Sequence, residues 1–166
     1  MDYLEAATYW EKKNACAVRM ERNSLLKEIE KFIAAHNTCA LATGCRGLIR
    51  CTPIEYNYYS EKFWILSDGG LKFRALEENP NVCLAIFDSY AGFDKLGGLQ
   101  VTGTAALAEL WSDEYMDALE HKKISAQALK KLAHPLYLIR ITPVRFDFLY
   151  SDFKLSGYDA RQHIEL

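Results

Sequence analysis

A series of six or seven short strand-like runs constrains the fold of this chain more than any other feature, because most of them are joined by turns and only a few by helices. The run from Leu99 to Leu110 alternates apolar and polar side chains, which is typical of a strand with one face on a core. A doubly wound sheet needs a helix after nearly every strand. The pattern therefore predicts a mainly β protein, a small closed or split β-barrel with flanking helices.

The clearest strands lie between residues 38 and 87. The run 38–43 and the long run 48–59 flank a turn at 44–47, which predicts a hairpin. Pro53 lacks the amide hydrogen that a central ladder requires, so it indicates an edge strand or a bulge. Strands are also predicted at 62–67, 82–87 and 136–149, with a kink at Pro143 in the last, and Gly103 indicates a bend or a close approach of two backbones.

Helices are predicted around these strands. Asp2 and Glu5 form a capping box for a leading helix whose apolar face holds Tyr3, Ala7 and Trp10. A second helix has Asn23 or Ser24 as its cap and one apolar stripe, formed by Leu25, Leu26, Ile29, Phe32 and Ile33. A third begins near Leu71 and ends at Asn79 and Pro80, and Ser112 and Ser125 cap two polar helices.

The chain reads as one domain over residues 1–166. It contains no internal repeat and no linker, and half of its 166 residues are hydrophobic, enough for one core. Within this domain we predict an N-terminal helical extension at 1–23 and a C-terminal tail at 151–166, for which a frayed end is expected.

Charge and composition exclude several classes of function. The net charge is −2, with no block of lysine and arginine that would neutralise a phosphate backbone, so we expect no nucleic-acid partner. No apolar stretch reaches the roughly 18 to 20 residues needed to cross a membrane, and the acidic start does not resemble a signal peptide. We therefore expect a cytoplasmic protein.

Five cysteines fit a reducing compartment without disulfides. Cys39, Cys45 and Cys51 are spaced more widely than the paired ligands of structural zinc sites. We interpret these three as small buried apolar groups and predict no metal site.

One candidate anion site follows the strand that ends at Ser67. The next residues are Asp68, Gly69, Gly70, Leu71 and Lys72, at the start of the third helix. Free amide groups at a helix start attract anions, and glycine lets an anion approach the backbone. The alternative interpretation is an ordinary strand-to-helix turn with a solvated lysine, since the spacing matches neither a Walker loop nor a dinucleotide-binding fingerprint.

Arg50 is a second candidate, because an arginine on a strand face that also carries tyrosines needs a partner. That partner is a phosphate or a carboxylate such as Glu109, Asp88 or Asp147. The four histidines form no catalytic set, and no serine lies in a nucleophile-elbow sequence, so nothing favours a hydrolase.

Taken in order, the segments resemble the FMN-binding split barrels of the pyridoxamine 5'-phosphate oxidase-like family, in particular its small bacterial members. The segments are TCALAT (38–43), IRCTPIEYNYY (49–59), FWILSDGGLKFRALEENPNVCLAIFD (63–88), LQVTGTAAL (99–107) and IRITPVRFDFL (139–149). The resemblance implies a homodimer with FMN held in clefts at the subunit interface.

Site residues also follow from the resemblance. It places eight residues at the cofactor: Arg50, Cys51, Thr52 and Pro53 on the strand that lines the flavin, Leu66 and Ser67 at the end of the next strand, Lys72 on the phosphate, and Gln100 on a following strand.

Three departures from the oxidases stand out. Leu71 replaces the arginine before the phosphate-binding lysine, Leu149 replaces a tryptophan that faces the flavin, and the tail 151–166 has no clean counterpart of their substrate-binding segment.

These features lead to two hypotheses about function. The first is an FMN-dependent oxidoreductase that transfers hydride to or from a small-molecule substrate other than pyridoxamine phosphate. The second is a split barrel that binds or stores a flavin or haem without turnover, in which His36, His134 or His163 would supply the ligand to haem iron. A barrel that only scaffolds other proteins is a third possibility.

Overall fold

The computed structural model describes residues 2–166, without the side chains of residues 6, 7 and 10. Eight strands form one antiparallel sheet: β1 (Thr38–Cys45), β2 (Leu48–Glu55), β3 (Asn57–Tyr59), β4 (Lys62–Ser67), β5 (Asn81–Phe87), β6 (Gly97–Leu107), β7 (Tyr137–Tyr150) and β8 (Arg161–Glu165). The strand order is β2-β1-β5-β6-β7-β4-β3, and β8 pairs with β7. The two ends of this path, β2 and β3, are not hydrogen-bonded to each other, which is the arrangement of a split barrel. The predicted fold class is confirmed.

Two predictions for the first strands are refined. The hairpin of β1 and β2 is present, and β2 lies at the edge of the sheet, as Pro53 indicates. The long run 48–59, however, is broken at Tyr56. The amide of Tyr56 donates to the carbonyl oxygen of Asn37, and its hydroxyl donates to the carbonyl oxygen of Ile33, so this buried residue turns toward the helix instead of continuing a strand.

A β-bulge joins the two halves of the last long strand. The pairing of β6 with β7 shifts between Thr102, opposite Arg145, and Gly103, opposite Pro143, so Val144 is the extra residue. The bulge absorbs the proline, and β7 runs on for 14 residues instead of kinking into two strands.

We expect Gly103→Ala to lower the free energy of unfolding by about 1 to 3 kcal/mol, because the new methyl group would overpack the sheet. A Cβ atom on Gly103 would lie 2.7 Å from the carbonyl oxygen of Thr142 and 3.1 Å from a methyl carbon of Ile141. Gly98→Ala, on the same strand, is the control, since its nearest neighbour would be at 3.9 Å. Urea titration followed by circular dichroism measures both, and equal midpoints would contradict the close approach.

The helices are α1 (Tyr3–Ala15), α2 (Arg22–Ala34), α3 (Leu71–Glu78), α4 (Asp113–His121) and α5 (Ala126–Leu129). Asp2 caps α1 as predicted, but Ala7 and Trp10, predicted on its apolar face, lie outside the described side chains. Neither Asn23 nor Ser24 caps α2. The carboxylate of Glu21 accepts hydrogen bonds from both of their amides, so the helix begins two residues earlier than a cap at Asn23 would allow, and three earlier than a cap at Ser24.

Two apolar clusters occupy opposite faces of the sheet. The larger one fills the barrel beneath α2, and it includes Leu25, Ile29, Leu41, Phe63, Ile65, Leu84, Val101, Ile141 and Phe146. The smaller one lies where α4 and α5 cover the outside of β4 and β7, and it includes Trp64, Tyr115, Leu119 and Leu138. Strand β4 is therefore buried on both faces, since its successive side chains alternate between the clusters.

The C-terminal segment is ordered, and the expectation of a frayed tail is wrong. A short 3₁₀ helix (Ser151–Ser156) leads to β8, which adds to the edge of β7. Segment 18–22 is hydrogen-bonded to the same region: the amide of Val18 donates to Asp159, and Arg22 donates to the carbonyl oxygen of Glu165. The two ends of the chain stabilise each other.

All five cysteines are free thiols, but they are not all buried. Cys39 lies in the barrel core, Cys45 is half-buried and Cys51 is exposed, so the interpretation as buried apolar groups is wrong for Cys51. Among the described residues, no helix is both long and apolar enough to span a bilayer.

Candidate functional site

The turn between β4 and α3 has the backbone of an anion-binding loop. Gly69 and Gly70 have φ angles of +136° and +102°, which side-chain-bearing residues rarely adopt. Gly70 is the N-cap of α3, and no side chain caps this helix. The amide of Phe73 donates to the carbonyl oxygen of Gly70 at 3.1 Å, so the amides of Leu71 and Lys72 are the ones at this helix start that an anion could bind.

Lys72 is the positively charged group of this turn, and it is not a solvated lysine. Its side chain is only 7% exposed. Its ammonium group donates a hydrogen bond to the carbonyl oxygen of Gly69. Burial lowers the pKa of Lys72, while the negative charge of Asp68 acts in the opposite direction. A buried cation with few partners favours a bound anion over the alternative of an ordinary turn.

Arg50 and Thr52 lie on the strand next to this turn. They are opposite Thr43 and Leu41 in the pairing of β2 with β1, so all four share the barrel-facing side. Helix α3 packs against the same hairpin, where Asn79 donates to the carbonyl oxygen of Gly44. Within the described residues, the buried hydroxyl of Thr43 has no hydrogen-bond partner. The hairpin thus brings an arginine and an unsatisfied hydroxyl to the side of the sheet that α3 covers.

None of the three proposed carboxylate partners binds Arg50. Arg50 is exposed, and the ion pairs of the described residues do not include it. Asp147 is bound by the guanidinium of Arg145 at 2.7 and 2.6 Å, and Asp88 is bound by His36 at 3.0 Å. The guanidinium of Arg50 remains available for an anion.

Cys51, Pro53 and Gln100 lie on the other face of the sheet. A continuous row of paired residues crosses the outer face from β2 to β8: Pro53, Ala40, Ala85, Gln100, Asp147 and His163. Pro53 and Gln100 are three strand spacings apart, or about 14 Å. Between them the side chains are alanine and, in the next row, Ala42 and Cys83. We call this surface the outer sheet face.

Leu66 contributes only its backbone to the region of the turn. Its side chain packs in the cluster beneath α4 and α5, on the side of β4 opposite to Phe63 and Ile65. Ser67, the next residue, is buried, and its hydroxyl bonds the backbone of Gly69 at 3.3 Å. Because successive side chains of a strand alternate between its two faces, those of Leu66 and Ser67 lie on opposite sides of β4.

A cavity of about 310 Å³ opens at the far end of the outer sheet face. Its polar lining includes Asn14, Gln100, Asp147, Arg161 and His163. Sequence reasoning missed Asn14 and assigned Asp147 only as a possible partner of Arg50. A sequence signal for this part of the cavity was available in the alternating run 161–164. In a strand, that alternation places the side chains of Arg161 and His163 on one face.

His163 differs from the other histidines. His36 contacts the carbonyl oxygen of Phe32 and the carboxylate of Asp88, His121 stacks on Tyr59 at 3.9 Å between ring centroids, and His134 is exposed. His163 lines the cavity instead. Its pKa is lowered, first by burial and then by the positive charges of Arg19 and Arg145, which favours the neutral ring.

Solved structures with this fold are numerous. HutZ, a haem storage protein from Vibrio cholerae, is 21% identical with a TM-score of 0.58, over 70% of this chain and 88% of that chain. An FAD-binding protein from Mesorhizobium loti is 20% identical with a TM-score of 0.60, over 73% and 89% of the two chains. ChuZ from Campylobacter jejuni is 17% identical with a TM-score of 0.66, over 99% and 69%. These likenesses establish the shared fold.

Sequence comparisons give two further results. No curated protein matches this chain. The sequence profile of the pyridoxamine 5'-phosphate oxidase family matches residues 25–150, which run from the first buried leucine of α2 to the end of β7. This match spans most of the barrel, including β1 to β7 and the turn at Lys72. The chain therefore belongs to the pyridoxamine 5'-phosphate oxidase family.

Proposed function

We propose that this chain binds FMN, with the phosphate at the turn formed by Ser67–Lys72. The observation that carries the proposal is the buried ammonium group of Lys72 beside the uncapped start of α3. A cation at a helix N-terminus with two positive-φ glycines suits a phosphate, because charge, amide donors and close backbone approach act together.

The other residues of the hairpin fit the same ligand. Arg50 is a second cation without an ion-pair partner in the described part of the chain, and the unsatisfied hydroxyl of Thr43 is opposite it. The small side chains of the outer sheet face leave a flat surface beside Cys51 and Pro53, which suits a planar ring system that extends around the edge strand β2 from the phosphate turn. In this arrangement the backbone of 51–53 and 66–67 supports the ring.

A second copy of the chain is the proposed cover for the outer sheet face. Ile49 is 81% exposed there, and Cys51 and Pro53 are exposed beside it. Exposed apolar surface of this kind marks interaction sites. The row from Pro53 to His163 places β2 and β8 at opposite ends of one face, so two faces stacked about a two-fold axis would bring β2 of one protomer toward β8 of the other.

When bound, FMN supplies hydride transfer at its ring. The residues of this chain hold the phosphate, orient the ring and exclude water. Gln100, Arg161 and His163 line the cavity, where they would bind polar groups of a small-molecule substrate. With Leu149 beside them, this lining is more open than one closed by a tryptophan. We propose an FMN-dependent oxidoreductase whose substrate differs from pyridoxamine phosphate.

Release of the bound molecule from freshly purified protein, followed by mass spectrometry, tests the proposal. We expect FMN, a yellow preparation and a mass in solution of two chains. Bleaching of the yellow colour by NADH or NADPH without oxygen would support the oxidoreductase over a storage protein. A colourless protein whose fluorescence does not respond to added FMN would refute the FMN site.

Haem binding is the second candidate function, and His163 favours it. A neutral imidazole in a cavity is a suitable ligand for haem iron, and Arg161 offers a charge for a propionate. HutZ, a haem storage protein, and a haem-binding protein from Mycobacterium smegmatis share this fold. We expect any Soret band obtained with added haemin to shift in His163→Ala but not in His134→Ala. Identical spectra would exclude His163 as the ligand.

A further inference from the structure

The ammonium group of Lys72 is bound by its own turn. It donates to the carbonyl oxygen of Gly69 and lies over Gly70, since a Cβ atom built on Gly70 would be 3.6 Å from Nζ. The ring of Phe73 covers another side, with its centroid 5.3 Å from Nζ. An incoming phosphate must therefore compete with groups of the protein for the same cation.

Asp68 is a second competitor. It is exposed, it precedes the two glycines, and its charge acts on Lys72 in the direction that stabilises the ammonium group. The ion pairs of the described residues do not include Asp68, but its carboxylate lies in the same six-residue turn as Lys72, where a negative charge repels a phosphate dianion. The formal charges of the turn 67–72 sum to zero.

The residue next to the lysine does not restore the balance. Leu71 is apolar and 52% exposed, so it offers the phosphate no charge. Arg50, the other cation of the hairpin, is exposed to solvent, where an ionic contact is screened. The turn therefore has the geometry of a phosphate site and little net positive charge.

We infer that Asp68 and the carbonyl group of Gly69 act as internal competitors for Lys72, and that they make FMN an exchangeable ligand instead of a permanently retained one. This inference rests on the proposed FMN site and assigns that site a mode of use. FMN would enter and leave between turnovers, as a co-substrate does. Because Asp68 and the carbonyl group of Gly69 weaken the binding of the phosphate, the rate of exchange depends on this part of FMN.

The test compares FMN and riboflavin, which differ only in the phosphate, on wild type, Asp68→Asn and Glu120→Gln. Glu120 is an exposed carboxylate on α4, so its removal changes the net charge equally, away from the turn. Fluorescence quenching gives the affinities, and dilution of the complex gives the release rates. We expect Asp68→Asn to bind FMN about threefold to tenfold more tightly and to release it more slowly. Riboflavin affinity and the control should stay unchanged.

The outcomes separate the inference from the proposed function. If Asp68→Asn binds FMN as wild type does while Lys72 variants bind it more weakly, the competition is refuted and the FMN site stands. If wild type and Asp68→Asn bind neither FMN nor riboflavin, the proposed function fails, and the inference fails with it. Asp68→Ser provides a second neutral residue at this position and should repeat the gain.

Discussion

Lys72→Ala should bind FMN about tenfold to a hundredfold more weakly than wild type, because a hydrogen bond to a charged group contributes about 1.5 to 3 kcal/mol. The affinity for riboflavin should change little, since the lost contact is made to the phosphate. Titration of flavin fluorescence at fixed salt measures both. Equal FMN affinities in variant and wild type would remove Lys72 from the site.

Two further variants, one at Lys72 and one elsewhere, separate the effect of the lysine charge on FMN affinity from the effects of packing and of net charge. Lys72 is buried, so truncation also removes the contacts of its apolar stem. Lys72→Met keeps most of that stem and should lose FMN affinity to the same extent as the alanine variant. Lys131→Ala removes an exposed lysine that follows α5, and it should leave the affinity unchanged. A large loss in Lys131→Ala would show that net charge, not the turn, controls binding.

Gln162→Leu should lower the free energy of unfolding by about 3 kcal/mol, because unsatisfied buried polar groups cost about 1 to 3 kcal/mol each. Gln162 is 2% exposed. Its amide nitrogen donates to the carbonyl oxygens of Val18 and Asp159, at 3.1 and 2.6 Å, and its oxygen accepts from the amide of Met20 at 3.1 Å. Leucine has a similar size but leaves the carbonyl oxygen of Asp159 and the amide of Met20 without this partner, whereas the carbonyl oxygen of Val18 keeps the amide of Asp159 as a donor.

Urea titration followed by circular dichroism measures this loss. Gln127→Leu, at an exposed position on α5, makes the same chemical change and should shift stability by no more than about 0.5 kcal/mol. Because β8 carries Arg161 and His163, the loosened Gln162→Leu variant should also alter the cavity. If the two variants have the same midpoint, the two ends of the chain do not stabilise each other through Gln162.

Local patterns predicted most of the elements, and the exceptions have identifiable causes. The hairpin of β1 and β2, strand β4 and helix α3 follow from alternation, turn residues and the stop at Pro80, which all act within a few residues. The cap of α2 was misassigned because a longer side chain, Glu21, reaches the same amides. Pro143 suggested a kink, yet the bulge at Val144 accommodates it within one strand.

The candidate site was predictable where it is local. The turn with Gly69, Gly70 and Lys72 is continuous in sequence, and its position between a strand and a helix can be inferred from the sequence. The three carboxylate partners proposed for Arg50 could not be tested in this way, because all of them are distant in sequence. Asp147, for example, lies almost a hundred positions away and is bound by Arg145. Gln100 was named, but the row of residues that connects it to Pro53 and His163 depends on the registers of five strand pairs.

By itself the sequence determined the mainly β class and the glycine-lysine turn, and it limited Pro53 to an edge strand or a bulge, since each depends on backbone preferences and side-chain periods within a short segment. Only the tertiary structure decided that the C-terminal residues form a strand and line a cavity. That strand is held by hydrogen bonds between residues more than a hundred and forty positions apart, such as Gln162 and Val18, which no local pattern encodes. Tertiary packing also decided that Lys72 is buried, because burial depends on what the rest of the barrel places around it.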